Sequence, residues 1–154
     1  MNFEIRAARA GDMTALAELE RRQPSAAGWG FGGLNAELQK PESLLLVAVS
    51  LYEEHGDCGG MVCGFCCAAV LPPEAQILNL AVSPDYARAG IASALLREVF
   101  NKAAERGCTL ATLEVNETNL PAIALYKKLG FEVVGRRPKF YNGCDAALLM
   151  DCAV

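Results

Sequence analysis

The chain has 154 residues and a net charge of -4, with 53% apolar and 21% charged residues. One core of ordinary domain size follows, and long disorder is excluded. Lys and Arg are scattered, which argues against a nucleic acid held by a broad basic face, and no stretch reaches the roughly 18 apolar residues that span a bilayer.

"MNFEIRAARAGDM" carries neither a basic leader nor an apolar one, so a cytoplasmic protein with no membrane partner is expected. The 7 cysteines (Cys58, Cys63, Cys66, Cys67, Cys108, Cys144, Cys152) are odd in number and sit mostly in apolar runs, which suits reduced, mostly buried thiols.

In chain order, "FEIRAA" (3–8) alternates as a strand. "AGDMTALAELERRQ" (10–23) follows as a helix, with Asp12 at its N-cap and Met13, Leu16 and Leu19 at helical spacing. "PSAAGWGFGG" (24–33) is rich in turn formers and reads as a mobile loop, and "LNAELQ" (34–39) as a short helix ending before Pro41. "SLLLVAVSLYEE" (43–54) and "MVCGFCCAAVL" (61–71) form a hairpin about the turn "HGDCGG" (55–60). After Pro72 and Pro73 come the strand "AQILNLAV" (75–82) and a helix over 89–106, striped by Ile91, Leu95, Leu96 and Val99 and stopped by Gly107. "TLATLEVN" (109–116) is a strand, and 120–129 a helix closed by Gly130. "FEVVGRRP" (131–138) and "CDAALLMDCA" (144–153) are the last strands, with "KFYNG" (139–143) as the turn between them. The order predicts a mixed α/β sheet carrying helices, in one domain over 1–154 without internal repeats.

"YARAGIASALL" (86–96) thins its side chains where a helix begins. Such a start leaves backbone N–H groups open to an anion, with phosphate the natural guest. Ala89, Gly90 and Ala92 equally suit close helix packing, and the hexapeptide alone does not separate the two. Cys63 and Cys66 in "CGFCC" have metal-like spacing, but no second cysteine pair or His-rich stretch follows, and alternate residues of a strand face opposite ways, so no metal site is expected. His55, among Glu53, Glu54 and Asp57, reads as surface.

Four stretches, "LNLAVSPDYARAGIASALL", "LEVNETNLPAIALYKKLGF", "FEVVGRRPKFY" and the final apolar strand, resemble in content and order the GCN5-related N-acetyltransferase (GNAT) superfamily. The pairing of "LEVNETNLPAIALYKKLGF" with "RRPKFYNGCDAALLM" is similar to the RimI type within it. The resemblance implies the GNAT fold, a mixed, mostly antiparallel central sheet of about seven strands flanked by about four helices. It implies acetyl-CoA as co-substrate, no metal, and acetyl transfer to the α-amino group of a protein N-terminus, that of a ribosomal protein for the RimI type. A lysine side chain or a small amine as acceptor keeps the fold and the cofactor. A silent acyl-CoA-binding module is the alternative from another class, against which Glu114 and Tyr126 together speak.

The family's pyrophosphate signature, Gln/Arg-x-x-Gly-x-Gly/Ala, falls on residues 87–92: Gly90 and Ala92 fit, while Ala87 stands where Gln or Arg is usual, with Arg88 beside it. By resemblance, Arg88, Ala89, Gly90, Ile91, Ala92 and Ser93 face the phosphates, and Leu80, Ala81 and Val82 face the pantetheine arm. The Val82 amide then faces the developing oxyanion, Asn119 the cofactor, Glu114 is the base, and Tyr126 meets the departing thiolate. Taken alone, Glu114 reads as a solvated carboxylate between inward Leu113 and Val115. Tyr126 likewise reads as helix packing, Asn119 as an N-cap, and Leu80 to Val82 as core. Trp29 and Tyr141 are candidates for the walls of a peptide site, and "RRPK" (136–139) is a short basic group beside it.

Overall fold

In strand β2 (Ser43–Ser50) successive side chains enter two different cores: Leu44, Leu46 and Ala48 join one apolar cluster, Leu45, Val47 and Val49 the other. A strand buried on both faces needs a layer of helices on each. The structure, a computed structural model, describes residues 2–51, 60–141 and 143–154. His55, Cys58 and the turn over 55–59 lie outside the described residues.

The other strands are β1 (Phe3–Ala7), β3 (Val62–Leu71), β4 (Glu74–Val82), β5 (Leu110–Asn116), β6 (Glu132–Tyr141) and β7 (Asp145–Ala153). The helices are α1 (Met13–Arg21), α2 (Gly30–Leu38), α3 (Ile91–Glu105) and α4 (Leu120–Lys128). Among the described residues the strands form one sheet of 7, ordered β1-β2-β3-β4-β5-β7-β6. Every neighbouring pair is antiparallel except β4 with β5. This is the mixed, mostly antiparallel architecture with four flanking helices that the sequence predicts.

Met13, Leu16 and Leu19 of α1 and Leu34 of α2 pack on one face of the sheet. Ile91, Leu95, Leu96 and Val99 of α3 and Ile123 and Tyr126 of α4 pack on the other. Each fully buried leucine of these stripes contributes about 1.5–3 kcal/mol of apolar burial. At Gly64 of β3 a Cβ would lie 3.0 Å from Ile91 Cγ2 and 3.2 Å from the Ala81 carbonyl oxygen. Glycine there lets the first turn of α3 settle against the sheet next to β4.

Three boundaries differ from the sequence reading. The loop expected over 24–33 already turns helical at Gly30, where the carboxylate of Glu20 accepts from the amides of Trp29 (2.9 Å) and Gly30 (2.7 Å). A cap delivered by another helix is invisible to a local reading. "KFY" is strand rather than turn: β6 runs to Tyr141 through a register shift, with Lys139 at φ 54°. The helix expected from residue 89 starts at Ile91, because Gly90 is its N-cap at φ 80°.

Asp12 is the N-cap of α1, yet its carboxylate chelates Arg6 (2.7 and 2.9 Å) and accepts from the Arg9 amide (2.8 Å) instead of capping the helix. The hydrogen bond from Arg6 leads in holding this carboxyl below its ordinary 3.8, against the opposing effect of burial. A depressed carboxylate stabilises the fold above its unfolded pKa, and that stability is lost as pH falls through the folded one. Thermal melts taken from about pH 5 downward should therefore show the native chain losing more Tm than Asp12→Asn, which has nothing left to protonate there.

Candidate active site

The parallel ladder between β4 and β5 runs from Glu74 opposite Leu110 to Ile77 opposite Leu113 and stops, although β4 continues to Val82 and β5 to Asn116. The cause lies across β4. Cys67 pairs with Asn79 and Ala68 with Ile77, so Leu78 is an extra residue, a bulge that bends β4 away from β5. The strands open onto a cleft of about 1160 Å³. That exceeds the 300–1,000 Å³ of a drug-sized pocket and suits a long cofactor together with a second substrate.

One end of the cleft is lined by Arg88, Gly90, Ile91, Ala92 and Ser93; Ala89 is not among the lining residues. The Ala94 amide bonds back to the Gly90 carbonyl at 3.0 Å, and the amides of the first turn before it have no acceptor within the helix. A Cβ at Gly90 would find nothing within 4 Å, so a side chain there would project into open space. Arg88 holds a left-handed φ of 61°, a conformation that costs about 1–3 kcal/mol in a non-glycine residue. The stretch on which the resemblance places a diphosphate is thus a glycine-capped helix start behind a strained turn.

The exposed edge of β4 faces the same space. The Ser83 amide donates to the Cys63 carbonyl of β3 at 2.8 Å, so by strand alternation the polar backbone groups of Val82 and Leu80 turn to the side that β5 has left. Gln23 Nε2 donates to the Val82 carbonyl at 2.5 Å, so the N–H groups of Val82 and Leu80 are the strand donors turned to the gap. Leu80, Ala81 and Val82 all line the cleft, while the side chain of Ala81 is buried in the α1 and α2 core.

Glu114, Asn119, Tyr126 and Tyr141 converge on this cleft. Leu113 and Val115 are buried on either side of Glu114, whose side chain keeps 22% exposure and pairs with Arg137 Nη2 at 3.3 Å. Asn119 is the N-cap of α4, its Oδ1 accepting from the Ala122 amide at 3.3 Å. Tyr126 packs edge-on to Phe131 with ring centroids 5.7 Å apart, and burial pushes its phenol well above the ordinary range. Burial first, and then the charge of Glu114, raise Tyr141 as well. Trp29 lies elsewhere: it packs against the α1 and α2 core and does not line the cleft. Phe140, T-shaped on Tyr141 at 5.0 Å and under the Arg137 guanidinium at 5.6 Å, takes part in the wall instead.

Cys63 and Cys66 are buried together in the α3 core, brought to one face by a register shift in β3 at Cys63, whose thiol donates to the Ala48 carbonyl at 3.3 Å. Among the described residues no group of three metal-ligating side chains forms, and no helix is long and apolar enough to cross a membrane. Sequence reasoning missed Gln23, Gly64 and the Glu20–Asn79 pair. A visible signal existed for that pair, a carboxylate next to the apolar stripe of α1 and an amide inside the apolar run "LNLAV".

The chain matches the acetyltransferase (GNAT) family over residues 13–131. It is 37% identical over 94 residues to the ribosomal protein bS18-alanine N-acetyltransferase of Escherichia coli (strain K12), covering 59% of this chain and 64% of that protein. The match therefore spans a little under two thirds of that relative's length. The ribosomal protein bS18-alanine N-acetyltransferase of Haemophilus influenzae is 30% identical over 146 residues, 92% of each chain. The crystal structure of the ribosomal-protein-S18-alanine N-acetyltransferase from Escherichia coli aligns with a TM-score of 0.82 at 28% identity, covering 99% of this chain and 94% of that one. By sequence and by fold, the chain belongs to the acetyltransferase (GNAT) family.

Proposed function

We propose that the chain transfers the acetyl group of acetyl-CoA to the α-amino group of a protein N-terminus in the cytoplasm, with the N-terminal alanine of a ribosomal protein as acceptor. The observation that carries this reading is the splayed β4–β5 gap, which gathers the amides of a helix start, a strand edge, a carboxylate and a phenol around one cleft. The names of the Escherichia coli and Haemophilus influenzae relatives support the choice of acceptor.

Bound acetyl-CoA supplies an activated acetyl thioester. The amides of Ile91, Ala92 and Ser93 hold its diphosphate, with Arg88 in the part that Ala87 cannot play. The Val82 N–H donates to the acyl oxygen, where negative charge grows as the amine attacks. Glu114 takes the proton that the incoming ammonium must lose. An α-amine titrates near about 7.7–8.0 and a lysine near about 10.4, so a single partly exposed carboxylate suffices for the former at neutral pH.

Tyr126 donates a hydrogen bond to the departing sulfur. Since burial raises its phenol further above a thiol of about 8.5, outright proton transfer runs uphill and stabilisation of the thiolate is its main part. Tyr126→Phe is expected to lower kcat by about ten- to a hundredfold, the value of one hydrogen bond to a charged group, with little change in the KM for acetyl-CoA. Stopped assays of thiol release check this.

The reading is tested with acetyl-CoA and a panel of N-terminal peptides, lysine peptides and small amines, following free thiol. Preference for an N-terminal alanine peptide supports it. Preference for lysine or a small amine moves the acceptor, and thiol release with none of them leaves a binding module.

A further inference from the structure

Glu20 is 5% exposed on α1, and Asn79, 4% exposed, follows the bulge residue of β4. Asn79 Nδ2 donates to Glu20 Oε2 at 2.8 Å, and Asn79 Oδ1 accepts from the Ala27 amide at 3.1 Å. The same carboxylate also accepts from the amides of Trp29 and Gly30. Four hydrogen bonds thus join three separate pieces of chain: α1, the segment from Gln23 to Gly30 at the start of α2, and the bent part of β4. Gln23 to Ala27 and Asn79 all line the cleft. A buried polar network of this kind specifies one arrangement, because any other leaves its members unpaired.

We infer that Glu20 is a positioning residue: with Asn79 it clamps the loop over 23–30 to the bulge of β4 and so sets the wall of the cleft against which the acceptor lies. The inference rests on the acetyl-transfer reading above. The diphosphate end of the cleft is built from α3 and lies outside the clamp. The two substrates should therefore respond differently when the clamp is broken.

Asn79→Asp keeps the side chain's size, removes the donated hydrogen bond and sets a second carboxylate against Glu20. It is expected to raise the KM for an N-terminal peptide by about tenfold or more while the Kd for acetyl-CoA stays within about twofold. Adding Glu20→Gln to Asn79→Asp should recover part of the loss: the new amide donates to the new carboxylate and the like-charge contact goes, while the Trp29 amide loses the oxygen it shares with Asn79. Trp29, the chain's 1 tryptophan, reads the loop without turnover: its emission should shift to the red in Asn79→Asp and return part of the way in the double variant. An unmoved peptide KM and emission, a parallel loss of both substrates, or a double variant no better than the single would overturn the clamp. A native chain that acetylates no peptide would instead sink the functional reading, with the Trp29 emission still deciding the clamp.

Discussion

Replacing Gly90 with glutamate is expected to weaken acetyl-CoA binding by at least about a hundredfold, equivalent to about 2.7 kcal/mol, and to leave no measurable turnover. Two effects act together. Gly90 holds φ 80°, where a side chain costs about 1–2 kcal/mol, and the added group would project into the space proposed for the diphosphate. Its carboxylate would also meet the phosphates at a helix start whose dipole and free amides favour the anion. Gly90→Ala separates the two, adding the strain and one methyl without the charge, and should bind between the parent and Gly90→Glu. Isothermal calorimetry with acetyl-CoA reads all three. Normal binding by Gly90→Glu would move the phosphate site away from α3.

Glu114→Gln is expected to lower kcat/KM for an N-terminal peptide by about a hundredfold near neutral pH, at the lower end of what a positioned base contributes. The deficit should shrink as the pH passes the α-amine range of about 7.7–8.0, because more of the acceptor then arrives neutral. Acetyl-CoA affinity should hardly change, since Glu114 stands on β5 apart from the α3 cradle. The fold should survive too. The ion pair to Arg137 that the substitution weakens is more than half exposed on the arginine side, and such pairs contribute about 0–1 kcal/mol. Initial rates across pH decide it, and equal profiles for the two proteins would remove Glu114 from the proton transfer.

Period and capping made most of the fold legible in the sequence. Ile91, Leu95, Leu96 and Val99 fall on one stripe of α3, Leu113 and Val115 face inward on either side of Glu114, and Asn119 caps α4 as its side-chain chemistry suggests. These are local facts, settled within a turn or two of chain. What escaped is settled across the chain. No residue near "GFGG" announces that Glu20 will cap it, and nothing in "KFY" shows that β7 will pair beyond the shift in β6.

The site divides along the same line. Taken alone, Glu114 and Tyr126 read as a solvated carboxylate and as helix packing; the family resemblance nominates them and the α3 start, and all of these line the cleft except Ala89. An aromatic in a loop suits a peptide wall, which makes Trp29 a candidate by sequence, but as the N-cap of α2 it packs onto the core. The gap itself follows from one extra residue at Leu78 in the pairing of β3 with β4. A one-residue mismatch between strands leaves no mark in composition or periodicity.

A crystal structure with acetyl-CoA and an N-terminal alanine peptide would be decisive. The diphosphate should lie within hydrogen-bond distance of the amides of residues 91–93, with the acyl oxygen on the Val82 N–H, the sulfur facing the Tyr126 hydroxyl and the peptide amine on the Glu114 side of the gap. A diphosphate bound away from α3, or a thioester lying outside the space between β4 and β5, would contradict this arrangement.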